Sequence, residues 1–141
     1  MALYVARHFP GVRLYLNDKD PLVASLWRVI CGSVEGIDAL CGRLHVKPTV
    51  QMWHEIGASR PTTDVERAFK AIFMNRTSWN GIIHGSRPIG GLDQKSQWSV
   101  DCRYTVKTLV GLVWRYHRLL AGRTHVSCLD AEDFLLKYPF P

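Results

Sequence analysis

The sequence predicts an α/β fold of the doubly wound kind, and three observations predict it. A helical run, a Pro-Gly turn, a short alternating strand and a second helix follow one another from Ala2 to Ile30. A second strand-like run, His125 to Leu129, comes about a hundred residues later, behind a long amphipathic helix. Each run leads into an acid, Asp18 or Asp130, and ligands of open parallel sheets gather at the carboxyl ends of strands.

Ala2 to Phe9 has helical spacing, with Leu3, Tyr4 and Val5 ahead of Arg7 and His8, and Pro10-Gly11 stops it. Val12 to Asn17 alternates apolar and polar residues until the polar turn Asn17 to Pro21. Asp20 is suited to cap the next helix and Pro21 to occupy its first turn, with Leu22, Val23, Leu26, Trp27 and Ile30 as its apolar stripe. Ser33 to Leu44 and Thr49 to Ile56 read as shorter helices. Pro61-Thr62-Thr63-Asp64 opens a stronger one that aligns Val65, Ala68, Phe69, Ile72 and Phe73. Residues 75 to 104 lack periodicity and are punctuated by Gly81, Gly85, Pro88, Gly90 and Gly91; their apolar residues, Trp79, Ile82, Ile83, Ile89 and Trp98, argue for an ordered, functional excursion. Thr105 to Leu120 is helical again, with Val106, Leu109, Val110, Val113, Trp114 and Leu120 on its buried stripe, and Gly122 closes it. The strand at 125 to 129 and a last helical turn to Leu136 follow. Three segments result: 1–47 and 105–141 as parts of one α/β unit, and 48–104 as a mostly helical insertion between its strands.

With 141 residues, 47% of them hydrophobic, the chain suits one domain with a real core. It contains no apolar run long enough to span a membrane and no signal-peptide pattern, so a soluble, cytosolic protein is expected. Cys31, Cys41, Cys102 and Cys128 lack Cys-x-x-Cys spacing and the six histidines are scattered, which predicts reduced thiols and no metal. Charge is concentrated. Residues 60 to 123 hold eleven Lys and Arg against four Asp and Glu, an excess of seven in a chain whose net charge is +6. A basic middle between near-neutral flanks is the electrostatic footprint of phosphate binding, and the interleaved aromatics favour nucleic acid over a merely solvated basic face.

The run Met74-Asn75-Arg76-Thr77-Ser78-Trp79-Asn80-Gly81-Ile82-Ile83-His84-Gly85-Ser86 joins a cation, amides, hydroxyls and an indole behind an amphipathic helix. That mixture reads as a recognition surface for bases, because a core segment would not tolerate so many polar groups without partners. Asp18 is the candidate ligand acid, since Asp20 is better placed to cap. Two readings stand for Asp130, a ligand acid and an N-cap.

Tyr15-Leu16-Asn17-Asp18-Lys19-Asp20-Pro21 resembles the Asn-Asp-x-(Asn/Asp)-Pro segment of the D12-class, Dam-like, phage-type adenine-specific N6 DNA methyltransferases. Asn75-Arg76-Thr77-Ser78-Trp79-Asn80-Gly81 resembles the DNA-recognition segment of the same family. Ser86 to Gly91, Gln94-Lys95-Ser96, Cys102-Arg103-Tyr104, the Leu109 to Leu120 helix and Val126 to Phe134 are similar to its continuation, so the resemblance spans nearly all of the chain in the family's order. It implies a partial Rossmann-like S-adenosylmethionine-dependent methyltransferase fold with a mostly helical DNA-recognition insertion, acting on double-stranded DNA in the cytoplasm of a bacterial or phage-infected cell. By position, Asp18 would hold the ribose hydroxyls of S-adenosylmethionine and Asp130 would accept from its adenine amino group. Trp79, Asn80 and His84 would lie near base edges with Arg76 nearby, and Lys95 and Arg103 complete the candidate DNA contacts. The family usually has Arg at the place of His84, and an imidazole cannot make the same bidentate guanine contact.

Two family motifs are not among these residues: the glycine-rich first loop and the Asp-Pro-Pro-Tyr that handles the adenine amine. Tyr138-Pro139-Phe140-Pro141 is no substitute for the second, since no carboxylate precedes a Pro-Pro pair. The chain is therefore expected to be a central fragment or a split subunit, inactive alone and served by a complementary chain. A non-enzymatic DNA-binding module or a degenerate methyltransferase remnant explains the basic centre equally well. An RNA-directed enzyme of the same fold is a third option, because Trp79 and Trp98 suit stacking on unpaired bases. As a fragment, the isolated chain should self-associate through the open edge of its first strand; a monomer that is monodisperse in analytical ultracentrifugation and unfolds cooperatively in thermal melting would count against truncation.

Overall fold

Side-chain caps start five of the helices. The computed structural model describes residues 1–138, in the order α1 (Ala2–His8), β1 (Leu14–Asn17), α2 (Pro21–Cys31), α3 (Val34–Leu44), α4 (Val50–Ala58), α5 (Asp64–Thr77), a 3₁₀ turn (Trp79–Gly81), α6 (Val106–Leu120), β2 (Thr124–Ser127) and α7 (Ala131–Lys137). Asp20, Ser33, Thr49, Thr63 and Asp130 each accept a hydrogen bond from an otherwise unpartnered first-turn N–H. Thr63 does so in a full capping box, with Glu66 reaching back to the Thr63 N–H. The Tyr138-to-Pro141 end lies outside the described residues beyond Tyr138.

β1 and β2 form a two-stranded parallel sheet in the register Leu14 with Thr124 through Asn17 with Ser127. Both strands are shorter than the sequence predicts, for identifiable reasons. Val12 belongs to the turn after α1, its N–H donating to the Phe9 carbonyl at 3.2 Å. Cys128 and Leu129, expected within the second strand, leave the ladder because the Asn17 side chain takes over the pairing. Its Nδ2 donates to the Leu129 carbonyl at 3.0 Å, and its Oδ1 accepts from the Leu129 N–H at 3.0 Å and from the Ser127 hydroxyl at 2.9 Å.

One core serves all the segments. Phe73, Ile37, Leu40 and Leu44 are fully buried and pack with Val29, Met74, Tyr104, Leu109 and Val113, so α5 of the insertion shares its interior with α2, α3 and α6. A smaller cluster of Ala6, Ile30 and Leu120, with Leu3, Leu14 and Trp27 against it, seats α1 and β1 on α6. Two polar side chains on this inner side have structural partners. Burial holds the Tyr104 phenol well above its ordinary pKa while its Oη donates to the Leu44 carbonyl, and the buried His117 donates from Nδ1 to the Ile30 carbonyl at 2.9 Å. All four cysteines are free thiols, and burial pushes Cys31 up to about 11, which keeps it protonated at neutral pH.

Not all of the basic middle is available to a ligand. Arg123 donates to the carbonyls of Ala6, Phe9, Pro10 and Leu119, satisfying the open end of α1; Lys70 donates to those of Gly57 and Ser59; Arg67 reaches Asp64. No helix of the described residues is long and apolar enough to cross a membrane.

Removing the Asn17 amide should separate the strand ends. Asn17→Ala loses three hydrogen bonds and leaves the Leu129 backbone without its partner, so we expect a loss of about 2–3 kcal/mol, read as a lower urea midpoint at unchanged m-value. A midpoint equal to that of the unsubstituted protein would show that the strand pair does not depend on this side chain.

Candidate functional site

Parallel pairing brings the two acids to one rim of the sheet. Asp18 directly follows Asn17, the last residue of β1, and its N–H donates to the Ser127 carbonyl at 3.3 Å; Asp130 stands three residues beyond Ser127. Asp20 is the cap the sequence predicts, its Oδ1 accepting from the Leu22 N–H at 2.8 Å. Asp18 nevertheless has a structural task of its own, since its Oδ1 accepts from the Asp20 N–H at 2.9 Å. Its second oxygen has no hydrogen-bond partner among the described residues. Asp130 is more fully engaged: Oδ1 accepts from the Glu132 N–H at 3.2 Å as the cap of α7, and Oδ2 from the Lys19 ammonium at 2.7 Å. The Lys19 hydrogen bond, the Glu132 N–H and the Lys19 charge hold the Asp130 carboxyl below its usual pKa, and Asp130 in turn raises that of Lys19. Beside this rim Met1, Leu3, Leu16, Asn17, Trp27 and Leu120 line a mostly apolar cavity of about 250 Å³.

The polar run that begins at Met74 divides into a buried half and an exposed half. α5 continues through Thr77, whose hydroxyl donates to the Phe73 carbonyl at 2.7 Å, and Ser78 is buried, accepting from the Trp53 indole N–H at 3.0 Å. These hydroxyls, expected on a recognition surface, are interior groups with internal partners. Asn75 is likewise occupied, its Nδ2 donating to the Gly81 carbonyl at 2.9 Å. Arg76 lies on α5 beside an apolar groove lined by Val23, Leu26, Trp27, Ile83 and Tyr116, a different cavity from the one that receives Trp79 and Asn80.

The exposed half is a closed loop. An antiparallel bridge between Ser78 and Pro88 and a 2.8 Å bond from the Trp79 N–H to the Arg87 carbonyl shut its base. Asn80 and Gly81 turn the chain in the left-handed region, at φ 55° and 73°. Past the base, the Gln94 side chain organises the rest of the excursion: Nε2 donates to the Ile89 and Gly91 carbonyls, and Oε1 accepts from the Val100 N–H at 2.8 Å. Gly90 must be glycine, because a Cβ there would stand 2.2 Å from the Trp98 carbonyl oxygen. Ile89 and Val100 are buried beneath; Trp79, Ile82 and Trp98, which were expected to help order the segment, are exposed.

This frame gathers Trp79, Asn80, Ile89, Trp98, Cys102 and Arg103 around an open cavity of about 360 Å³. Two half-exposed indoles, an amide and a guanidinium are the groups that stack on bases, read base edges and meet phosphate. Of the candidate DNA contacts, Trp79, Asn80 and Arg103 line this one cavity. Lys95 sits outside on the surface beside Asp93, 4.0 Å away. His84 points elsewhere: its Nε2 donates to Asp20 Oδ2 at 2.8 Å. Cys102, Gln94 and Lys19 entered the sequence reading only as members of quoted motifs, and none was named as a site residue; the Gln94 clamp and the Lys19–Asp130 pair are partnerships that only the fold shows. No group of three or more His, Cys, Asp or Glu among the described residues is arranged to hold a metal ion.

Lys19→Ala should return Asp130 toward the ordinary carboxylate range. The folded pKa is depressed, so the pair's contribution is present above the usual carboxylate range and is lost as pH falls through the depressed value; carboxyl-detected NMR titration should show the Asp130 midpoint rising in the variant. An unmoved midpoint would leave the α7 cap as the sole partner that matters. No family model, curated protein or solved structure matches the chain.

Proposed function

We propose that the chain is the cofactor-rim and target-recognition part of a site-specific DNA adenine N6-methyltransferase that uses S-adenosylmethionine. The single observation that carries the proposal is the parallel register of β1 and β2, which sets Asp18 and Asp130 at one rim while the insertion between those strands builds a separate aromatic and cationic cavity. A donor site and a base-reading site on one α/β frame is what methyl transfer to DNA requires.

The residues at the rim fit the methyl donor in part. Asp18 offers a carboxylate oxygen that no other described residue uses, suited to ribose hydroxyls, and the apolar cavity beside Asn17 and Trp27 suits a nucleoside. S-adenosylmethionine, when bound, supplies a methyl group on a sulfonium centre. The chain's own residues would orient it and hold the duplex. Trp79 and Trp98 offer faces to a base displaced from its stack, Asn80 a donor and an acceptor to a base edge, and Arg103 and Lys95 charge to phosphates. The Asp-Pro-Pro-Tyr that would meet the adenine amine is not among the 141 residues, so the chain alone is expected to bind rather than to catalyse.

A second reading, a DNA-binding module without a methyl donor, is favoured by Asp130, both of whose oxygens are already engaged. Calorimetry with S-adenosylmethionine separates the two. The methyltransferase reading expects binding that Asp18→Ala weakens about 10- to 100-fold, the loss of charged hydrogen bonds to hydroxyls, whereas binding of duplex DNA with no donor binding selects the module. On the DNA side, Asn80→Ala should relax base preference, while Lys95→Ala should weaken all duplexes alike and lower the salt slope by about one unit. Indistinguishable effects from the two substitutions would reject this division between reading and anchoring.

A further inference from the structure

The loop closed by Ser78 and Pro88 projects groups in two directions. Trp79 and Asn80, near its base, face the aromatic cavity, while beyond Gly81 the chain folds back toward α2. Ile83 is half-buried against the main core and lines the groove with Val23 and Leu26 of α2. One residue later, the His84 imidazole meets Asp20. Asp20 serves both sides at once: Oδ1 caps α2 through the Leu22 N–H, Oδ2 accepts from His84, and its own N–H donates to Asp18 Oδ1. Two hydrogen bonds that meet at Asp20 therefore join the tip of the recognition loop to the acid at the end of β1, the first of them spanning 64 residues of sequence. Nothing else polar ties the tip down among the described residues; a Cβ at neighbouring Gly85 would meet nothing within 4 Å, and the remaining loop bonds, with Asn75 to the Gly81 carbonyl and Ser86 to that of Trp79, lie at or near the base.

We propose that His84 is a positioning residue: it locks the recognition loop onto the start of α2, so that the setting of Trp79 and Asn80 and the state of Asp18 respond to one another. The lock stands on geometry alone; the response to Asp18 rests on the proposed function, in which that carboxylate holds the methyl donor. Because coupling between two sites is reciprocal, a donor that engages Asp18 and steadies the Asp18–Asp20 turn would steady the loop, and a duplex seated on the loop would favour the donor equally. His84 then contributes to DNA recognition without reading a base.

The test is hydrogen exchange on the full chain, comparing the unsubstituted protein with His84→Ala, His84→Gln, Asp20→Ser and the double variant His84→Ala/Asp20→Ser. Serine keeps a cap for α2 but removes the second oxygen, and glutamine retains a donor for Asp20. The Trp79 and Ile82 amides, which donate within the loop, should exchange about two- to fivefold faster in His84→Ala and Asp20→Ser, the factor that loss of one solvent-accessible side-chain hydrogen bond of about 0.5–1 kcal/mol supplies. The double variant should be no faster than either single one, His84→Gln should restore protection, and α2 should be unchanged throughout. Unaltered loop exchange in His84→Ala, or additive effects in the double variant, would overturn the lock. With S-adenosylmethionine as the probe, loop exchange should slow in the unsubstituted protein and not in His84→Ala; slowing that persists in the variant overturns the coupling. If the probe protects no amide anywhere in the chain, the donor-binding reading and the coupling fail together, and the lock is judged on the ligand-free comparison.

Discussion

The Asn17 carboxamide is the constraint on which the arrangement depends. A parallel pair of four-residue strands, joined by more than a hundred residues of intervening chain, has little pairing enthalpy with which to resist sliding or fraying. At the end that matters, one amide substitutes for a further ladder rung, donating and accepting across the gap to the chain leaving β2. Everything placed relative to that rim follows from it: Asp18 on the next residue, the turn to Asp20, the start of α2, and the Lys19 ammonium held over Asp130. Without the amide the two acids would still follow paired strands, held together only by the Asp18 N–H bond to the Ser127 carbonyl and the Lys19–Asp130 pair.

The insertion solves a different problem, that of holding an irregular segment still. Residues 78 to 104 contain one short 3₁₀ turn and no strand beyond a single bridge, so their backbone groups cannot be satisfied by periodic structure. Side-chain amides and hydroxyls do the work instead. Trp53 reaches from α4 to Ser78, Asn75 to the Gly81 carbonyl, and Gln94 gathers three backbone groups from both sides of its own turn. The outcome is a rigid frame whose unspent groups, two indoles, an amide and a guanidinium, lie on one side. The ordering entropy of this irregular backbone is met in folding, by side chains that satisfy it from within.

Local chemistry was readable from the sequence, and long-range partnership was not. The cap at Asp20, the Pro21 start of α2, the opening of α5 at Pro61 to Asp64, the stripes of α5 and α6, and the strand–acid order at both ends depend on neighbours a few residues away, which periodicity exposes. The pairing of β1 with β2 was inferred from topology, and the ladder bears it out. Where expectation and structure part, a distant partner decides. Thr77 and Ser78 carry the same hydroxyls as an exposed recognition surface would, yet helix propagation and the Trp53 indole take them inside. His84 has the composition of a base reader and finds a carboxylate 64 positions away. Arg123 counts toward a basic middle by its charge and is consumed by four carbonyls at the end of α1 and α6. A polar residue shows in the sequence only its capacity for bonding; whether that capacity is left over for a ligand is fixed by the fold.

Gly90 and Gly85 show where such a surface can change. Both adopt a left-handed backbone, but a β-carbon at Gly90 would collide with the Trp98 carbonyl while one at Gly85 would meet nothing within 4 Å. The first glycine locks the floor of the aromatic cavity to a single shape; the second sits on a tip with room for longer or differently charged segments. The two glycines thus divide the segment into an indole-lined floor fixed by the Trp98 carbonyl and a tip whose surroundings at Gly85 are open.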